Sequence, residues 1–374
     1  MDIPHFLFEL SGFAEEIDQK LWLVGGCVRD YLLGQALLDY DLACDEDAIE
    51  LAKHLQDKHQ CQIVALHKPF GTAKIKLPNV ETPVDLATLR SETYDYPGAL
   101  PKVTYPAPLE LDLIRRDFTI NALALRLQPD GKGELVDLFD GKLDLKDKTI
   151  RVLHEKSYWE DPTRIIRAAR FATRFEGRLS AEDYLQIQNS LQDAALHNMI
   201  ERVRGARVGI ELKRLLELEN WLKGAELLSE LDAWSLCKDN LSISLQKPYF
   251  SLDAWQGRLA WILWNNHASI VSIFSQLLIE ARFQRQITLL QKLLNPKFYP
   301  SLKAFNEVKS LDRSFQNLLF SLLPQVHELM PLMQLAAQKL DAIELQQRGF
   351  AGAALGHEME RLFQQHFKAE LSDR

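Results

Sequence analysis

The chain has 374 residues, more than one hydrophobic core usually serves, so two or three domains are expected. Hydrophobic residues make up 47% and charged residues 26%, the balance of an ordinary globular protein, and no stretch reads as a membrane span. A net charge of −8 argues against broad, non-specific attraction to nucleic acid, but leaves room for a local basic groove. The cysteines Cys27, Cys44, Cys61 and Cys237 are scattered and make no metal-ligand spacing. Met1–Leu10 lacks a basic segment and a cleavage site. The expectation is a reducing, cytoplasmic setting.

Met1–Lys20 reads as a short amphipathic helix, and the apolar run Leu21–Val24 as a buried strand. Gly25-Gly26 breaks the pattern, Val28–Leu33 has helical spacing, and Gly34 is a plausible stop. Asp39–Ala43 looks like a second strand, which would point Asp39 and Asp41 the same way. Two such carboxylates repel each other without a cation, but with Mg²⁺ and a triphosphate they become a set of hard oxygen ligands. The paired glycines let backbone approach phosphate closely, with a helix N-terminus directly behind. Gly-Gly, a helix, then Asp-x-Asp on a strand is a layout for two-metal nucleotidyl transfer.

Glu46–Lys58 is periodic as a helix, Gln62–Ala65 returns to strand character, His67–Thr72 is a turn, and Ala73–Leu77 alternates as a strand. Thr82–Arg90 is a further strand that carries Asp85 among apolar neighbours, where a carboxylate is costly unless paired or metal-bound. A salt-bridged or surface-facing acid is an equal reading of Asp85. Ser91–Leu109 holds Pro97, Pro101, Pro106 and Pro108 and reads as a loop. In Leu113–Leu127, Arg115 and Arg116 suit a triphosphate through the guanidinium fork, or form a solvated helix end. Leu135–Val152 reads as a connector whose acids are structural.

From Glu155 onward the pattern is helical. In Glu160–Phe175, Pro162 suits a first turn with Glu160 or Asp161 as cap. Arg164, Arg167, Arg170 and Arg174 form one stripe, opposite Ile165, Ile166, Ala169 and Ala172. The plain reading is an amphipathic helix with a solvated arginine face, although four arginines with no interleaved acid repel one another. Glu201–Leu216 carries Arg202, Arg204, Arg207, Lys213 and Arg214, which are RNA contacts or a solvated face. Glu217–Arg374 shows helical spacing broken near Asp239-Asn240, Pro248, Pro296–Pro300 and Pro324, with no repeat and no further catalytic cluster.

The segments LVGGCVRDYLLG…DYDLAC, RRDFTINA and EDPTR, in that order, resemble the motifs of the class II tRNA nucleotidyltransferase and bacterial poly(A) polymerase family. The resemblance covers roughly Leu21–Leu216 and is weak beyond it. It implies an α+β head of the polymerase-β-like nucleotidyltransferase type, with a small mixed sheet, followed by all-α neck, body and tail. The expected bounds are residues 1–150 for the head, 151–216 for the neck and 217–374 for the body and tail. Catalysis falls to Asp39, Asp41 and Asp85, with Asp39 and Asp41 holding Mg²⁺. Gly25, Gly26, Arg29, Asp30, Arg116, Asn121, Arg167 and Arg170 would hold the nucleotide or the primer end, with Asp117 and Asn121 bracing the site.

In that family, the residues matching Asp161 and Arg164 read the edge of the incoming base. A carboxylate accepts from the exocyclic amine that C and A share, and a guanidinium donates to ring acceptors. Neither U nor G satisfies the pair, and buried polar groups left unpaired reject a wrong base strongly. Arg174, further along the stripe, is expected to play no part in base choice.

The implied reaction is attack of a tRNA 3′-hydroxyl on the α-phosphate of CTP or ATP. No membrane and no protein partner are implied. Alternatives are an enzyme that adds only CC or only A, a bacterial poly(A) polymerase, and a non-enzymatic RNA-binding scaffold built on the same fold. Poly(A) polymerases typically carry a Gly-basic-Arg-Phe segment after the Asp-x-Asp; Lys68-Pro69-Phe70-Gly71-Thr72 here has the CCA-type form.

Overall fold

The computed structural model describes residues 3–96, 98–193, 205–238, 241–245, 254–266, 270–294 and 300–372. They fall into two compact units, Met1–Val203 with Glu230–Ala233, and Arg204–Ser229 with Trp234–Arg374.

In the first unit the apolar runs read as strands do form a sheet, because their alternation supplies two faces that can both be buried. Its strands are β1 (Leu21–Val24), β2 (Tyr40–Cys44), β3 (Gln62–His67), β4 (Thr72–Lys76) and β5 (Val84–Thr88), then β8 (Leu123–Leu127) and β9 (Gly133–Asp137). The order is β3-β4-β5-β2-β1-β8-β9, and the sheet is mixed: β2 and β5 run parallel, and the other neighbours antiparallel.

Leu21, Leu23, Leu42 and Cys44 face a core closed by α1 (His5–Glu15) and α3 (Ala48–His59), which contribute Leu7, Leu10, Leu51 and Leu55. Each such leucine, fully buried, contributes about 1.5–3 kcal/mol. Asp47 caps α3 by accepting from the backbone N–H of Ile49 and Glu50. On the other face Trp22, Val24, Ala43, Ala122 and Ala124 gather with Leu89 and Leu113. Asp41 continues this second face one step past Ala43, where the apolar cover stops.

Two segments differ from the reading of the sequence alone. Ser91–Leu109 is not wholly a loop: β6 (Ser91–Thr93) pairs antiparallel with β7 (Lys102–Thr104). The proline spacing concealed this hairpin because what holds it is long-range. The buried Glu92 carboxylate accepts from Arg90 and, 23 residues on, from Arg115 at 3.0 Å. Leu135–Val152 is not a connector either. It opens in the edge strand β9, continues through α5 (Gly141–Lys146), and ends at β10 (Thr149–Ile150). Its acids are structural: Asp137 accepts from the N–H of Gly141 and Lys142, and buried Asp144 accepts from Thr119 and Arg151.

After β10 the assigned elements among the described residues are helical apart from the two-residue β11 (Arg178–Leu179), which pairs parallel to β10. The helices of this unit are α2 (Gly26–Leu32), α4 (Leu109–Ile114), α6 (Ser157–Glu160), α7 (Thr163–Arg174) and α8 (Ala181–Gln192), with Ser180 capping α8. Asp183 is buried and accepts from the Tyr158 hydroxyl at 2.7 Å and the Val152 N–H at 3.0 Å, which fastens α8 to the end of the head.

In the second unit every assigned element among the described residues is helical. Leu302–Ser310, Pro324–Gln338 and Gly352–Ser372 close around Phe305, Met333, Ala336, Phe363 and Phe367. A mixed-sheet head followed by helices is the architecture expected.

Candidate active site

Gly25 sits between β1 and α2 with φ +69, a backbone conformation that favours glycine. A side chain there would also collide: a Cβ would fall 2.6 Å from Nη1 of Arg116. The bare backbone therefore lets the Arg116 guanidinium lie directly against it. At Gly26 a Cβ would meet Arg29 Nη2 at 3.3 Å, so both glycines make room for arginines.

Cys27, on α2, joins this turn to the strand of acids. Its Sγ donates to the Asp39 carbonyl and accepts from the Asp41 N–H, both at 3.3 Å. Burial, with Asp41 adding to it, pushes the thiol pKa up to about 12, so it stays neutral. Sequence reasoning missed this residue because a lone cysteine carries no spacing signal.

The strand begins at Tyr40, so Asp39 lies one residue before it rather than on it. Both Asp39 and Asp41 are exposed, and both line a cleft of about 240 Å³ with Gly26, Arg29, Asp30 and Arg174. Asp41 lies directly beside Asp85 in the parallel β2–β5 register, and Asp85 beside Lys74 on β4. Asp85 is salt-bridged to Lys74 at 3.1 Å and adjacent to Asp41, so the salt-bridged reading of this acid is the one observed. Desolvation, then Asp85, and then Asp39 against the opposing pull of Arg116, raise the Asp41 carboxyl above the usual range. Among the described residues these three carboxylates are not gathered within 4.8 Å of one another.

Behind the cleft runs a chain of charged hydrogen bonds. Arg29 is buried; its Nε donates to Asp30 at 2.8 Å and its Nη1 to Asn121 Oδ1 at 2.5 Å. Asn121 in turn donates to Asp117 at 2.9 Å, and Arg167 Nε donates to the other Asp117 oxygen at 3.0 Å. Burial alone would raise the Asp117 carboxyl, but Arg167 and Asn121 outweigh it and hold it below the usual range. The Arg29 guanidinium lies 5.4 Å from the ring centres of Phe171 and Phe175, so α7 packs onto α2 through it. Asp117 and Asn121 thereby link Arg29 to Arg167.

Arg116 pairs with buried Asp112 at 2.8 Å, as does Arg115 at 2.6 Å. Neither is a solvated helix end. Arg116 Nε is buried and meets no acceptor within the protein.

The stripe on α7 is not a solvated face, but a gradient of burial. Arg164 is buried and donates to Ser157 Oγ, the Ser157 carbonyl and the Arg115 carbonyl. Arg167 and Arg170 are half-buried, and Arg170 lies 4.3 Å from the Phe171 ring centre. Arg174 is exposed, lines the cleft and stands 3.6 Å from Asp30. Asp161 accepts from the N–H and hydroxyl of Thr163 and so caps α7.

Arg202 and Arg204 lie outside the described residues. Lys213 and Arg214 are exposed on the helix Ala206–Leu216, opposite buried Val208, Leu212 and Leu215, and pair with Glu217 and Glu211. Arg207 on the same helix is half-buried.

Residues 21–151 match the family of the poly A polymerase head domain. The chain is 43% identical over 208 residues to the A-adding tRNA nucleotidyltransferase of Aquifex aeolicus, covering 56% of this chain and 24% of that one. It is 41% identical over 180 residues to the CC-adding tRNA nucleotidyltransferase of Deinococcus radiodurans, covering 46% of each. A crystal structure of a tRNA nucleotidyltransferase complexed with a primer tRNA and an incoming ATP analog superposes with a TM-score of 0.67 at 27% identity. That superposition covers 90% of this chain and 99% of the other. Residues 21–151 thus match a poly A polymerase head domain, and the relatives to which the chain is similar are tRNA nucleotidyltransferases.

The chain spans about a quarter to a half of the length of these two curated relatives. Nucleotidyltransferases of the kind whose head domain matches here generally use a divalent metal. The donor set here fits one: oxygen-only ligands, with an Asp41 carboxyl raised by its neighbours, are relieved by a hard divalent cation. Among the described residues no helix is long and apolar enough to cross a membrane.

Proposed function

We propose that this chain adds C and A nucleotides from CTP and ATP to the 3′ end of tRNA in the cytoplasm, without a nucleic-acid template, releasing pyrophosphate. The observation that carries the reading is that Asp39 and Asp41, the latter in register beside Asp85, line one cleft with Gly26, Arg29 and Arg174, while Arg116 lies against the neighbouring Gly25. Acids for a cation and arginines for phosphate, on two sides of one glycine turn, are what nucleotidyl transfer requires.

In this reading Asp39 and Asp41 hold Mg²⁺, which when bound supplies the positive charge that eases deprotonation of the primer hydroxyl and stabilises the leaving pyrophosphate. Asp85 adds negative charge beside them and keeps Lys74 at the edge of the site. Arg116 turns its unpartnered Nε to a phosphate oxygen, since a buried guanidinium nitrogen without an acceptor is costly. The guanidinium of Arg29 is fixed by Asp30, Asn121 and two phenylalanines, so it presents charge to the triphosphate without losing side-chain freedom on binding. Asp161 and Arg164 read the base edge, held at the start of α7 by Thr163 and Ser157. Lys213, Arg214 and Arg207, with Arg202 and Arg204, contact tRNA phosphates.

Incubation of a CCA-less tRNA with labelled CTP or ATP, with Mg²⁺ and then with a chelator, tests the reading. Metal-dependent incorporation is expected. Binding of tRNA with no incorporation would instead mark an RNA-binding scaffold, and long homopolymeric A tails would mark a poly(A) polymerase.

A further inference from the structure

On the face of the head covered by α1 and α3, away from the aspartates, Glu16 stands between two imidazoles. Glu16 Oε2 lies 2.9 Å from His54 Nε2 and 3.2 Å from His59 Nε2. All three donor atoms fall within 4.8 Å of one another. With bonds of about 2.0–2.1 Å, ligands around a tetrahedral Zn²⁺ stand roughly 3.3 Å apart, close to the two distances from Glu16 to the imidazoles.

The group is held in place by its surroundings. Phe13 stacks on the His59 ring at 3.6 Å, nearly parallel, and Glu16 terminates α1. His54 and His59 are both half-buried on α3, and Glu16 is exposed, leaving one side open to water. The histidines are separated by four residues, within the His-x3–5-His range of zinc sites, but Glu16 lies 38 positions before His54 and only folding brings it to them.

We propose that Glu16, His54 and His59 form a site for a divalent transition metal of the Zn²⁺ type, which clamps α1 to α3. Two imidazoles with one carboxylate suit Zn²⁺ and its neighbours, whereas Mg²⁺ prefers oxygen alone. The site lies across the sheet from Asp41, since Leu42 and Cys44 face α1 and α3 while Asp41 faces the other way. It therefore acts on stability and not on transfer. A ligand that binds the folded state alone stabilises it in proportion to ln(1 + [L]/Kd).

Zn²⁺ is titrated calorimetrically into chelator-stripped full-length protein, and thermal melting is followed in parallel. The expected result is one saturable site in an Asp41→Asn background, which suppresses binding at the aspartates, and a rise in Tm with Zn²⁺. His54→Ala or His59→Ala should weaken that site by more than about 100-fold, beyond what losing an outer partner of a ligand costs. Each histidine variant, made with Asp41 intact, should retain Mg²⁺-dependent transfer. Co²⁺ should give the intense visible absorption of a tetrahedral complex in the parent and lose it in the histidine variants. Absence of saturable binding, or affinity unchanged in both histidine variants, would overturn the proposal and leave a hydrogen-bonded trio.

Discussion

Asp41 is ionised in a place that resists ionisation. Its folded-state pKa is raised, so the folded chain holds that proton more tightly than the unfolded one does, and stability falls as pH rises through the window above the ordinary carboxylate value. At neutral pH the penalty is fully present, and a cation removes it. Asp41→Asn should therefore raise the Tm of the metal-free protein at pH 7. It should also lower nucleotide incorporation by about 1000-fold or more, on the order of 4 kcal/mol of transition-state stabilisation. Melting and incorporation measured on one preparation check this; a destabilised or active variant contradicts it. Asp112 is the opposite case. Burial would raise its carboxyl, but Arg116 and Arg115 hold it below the usual range, so its contribution is present at neutral pH and lost as pH falls through that lowered value. Asp112→Ala removes the carboxylate that Arg116 pairs with and leaves Arg115 with Glu92 alone, and should cost about 3–5 kcal/mol in urea unfolding, with a weaker acid dependence than the parent. Asp39, Asp41 and Arg116 stand out as candidates in the sequence because their spacing has chemical meaning. Cys27 and Asp112 do not, since their roles depend on partners that only folding brings near.

At the scale of elements, α7 carries the most specific expectation. Its arginines were legible as a stripe from helical pitch, but pitch fixes direction and not depth. Arg164 is buried because α6 supplies Ser157, and Arg174 reaches the cleft because α2 supplies Asp30. If the start of α7 reads the base, Asp161→Ala should relax selectivity by roughly ten- to hundredfold, for a charge-assisted bond of about 1.5–3 kcal/mol. It should also remove a cap worth about 1 kcal/mol. The two effects separate by comparing Asp161→Asn and Thr163→Val in competition assays with all four triphosphates. Loss of stability without misincorporation of UTP or GTP would reduce Asp161 to a cap. Arg174→Ala, given its place in the cleft, should raise KM for both nucleotides alike. The hairpin β6–β7 shows where element prediction stops: its strands are three residues each and polar, and the Glu92–Arg115 pair that fixes them spans 23 positions.

Across the whole molecule, the net charge of −8 means that the tRNA binding proposed here rests on local basic surface and not on an overall field. Lys213→Ala and Arg214→Ala should each weaken tRNA binding and lower the slope of log affinity against log salt by about one for each phosphate no longer neutralised. An unchanged slope in both would make that helix face a solvated one, as its pairs with Glu217 and Glu211 already permit. The division into a sheet-bearing head and a helical remainder was legible because hydrophobic period changes from two to about 3.6 near residue 150. The helical body was legible only as helices, since its packing around Phe305 and Phe363 leaves no motif. The central claim is that this chain extends tRNA 3′ ends. Its most direct test is sequencing the 3′ ends of a CCA-less tRNA after incubation with Mg²⁺, CTP and ATP. The account predicts short, defined additions of C, A or both that stop by CCA and vanish with Asp41→Asn. Unextended ends, or additions that persist in that variant, would contradict it.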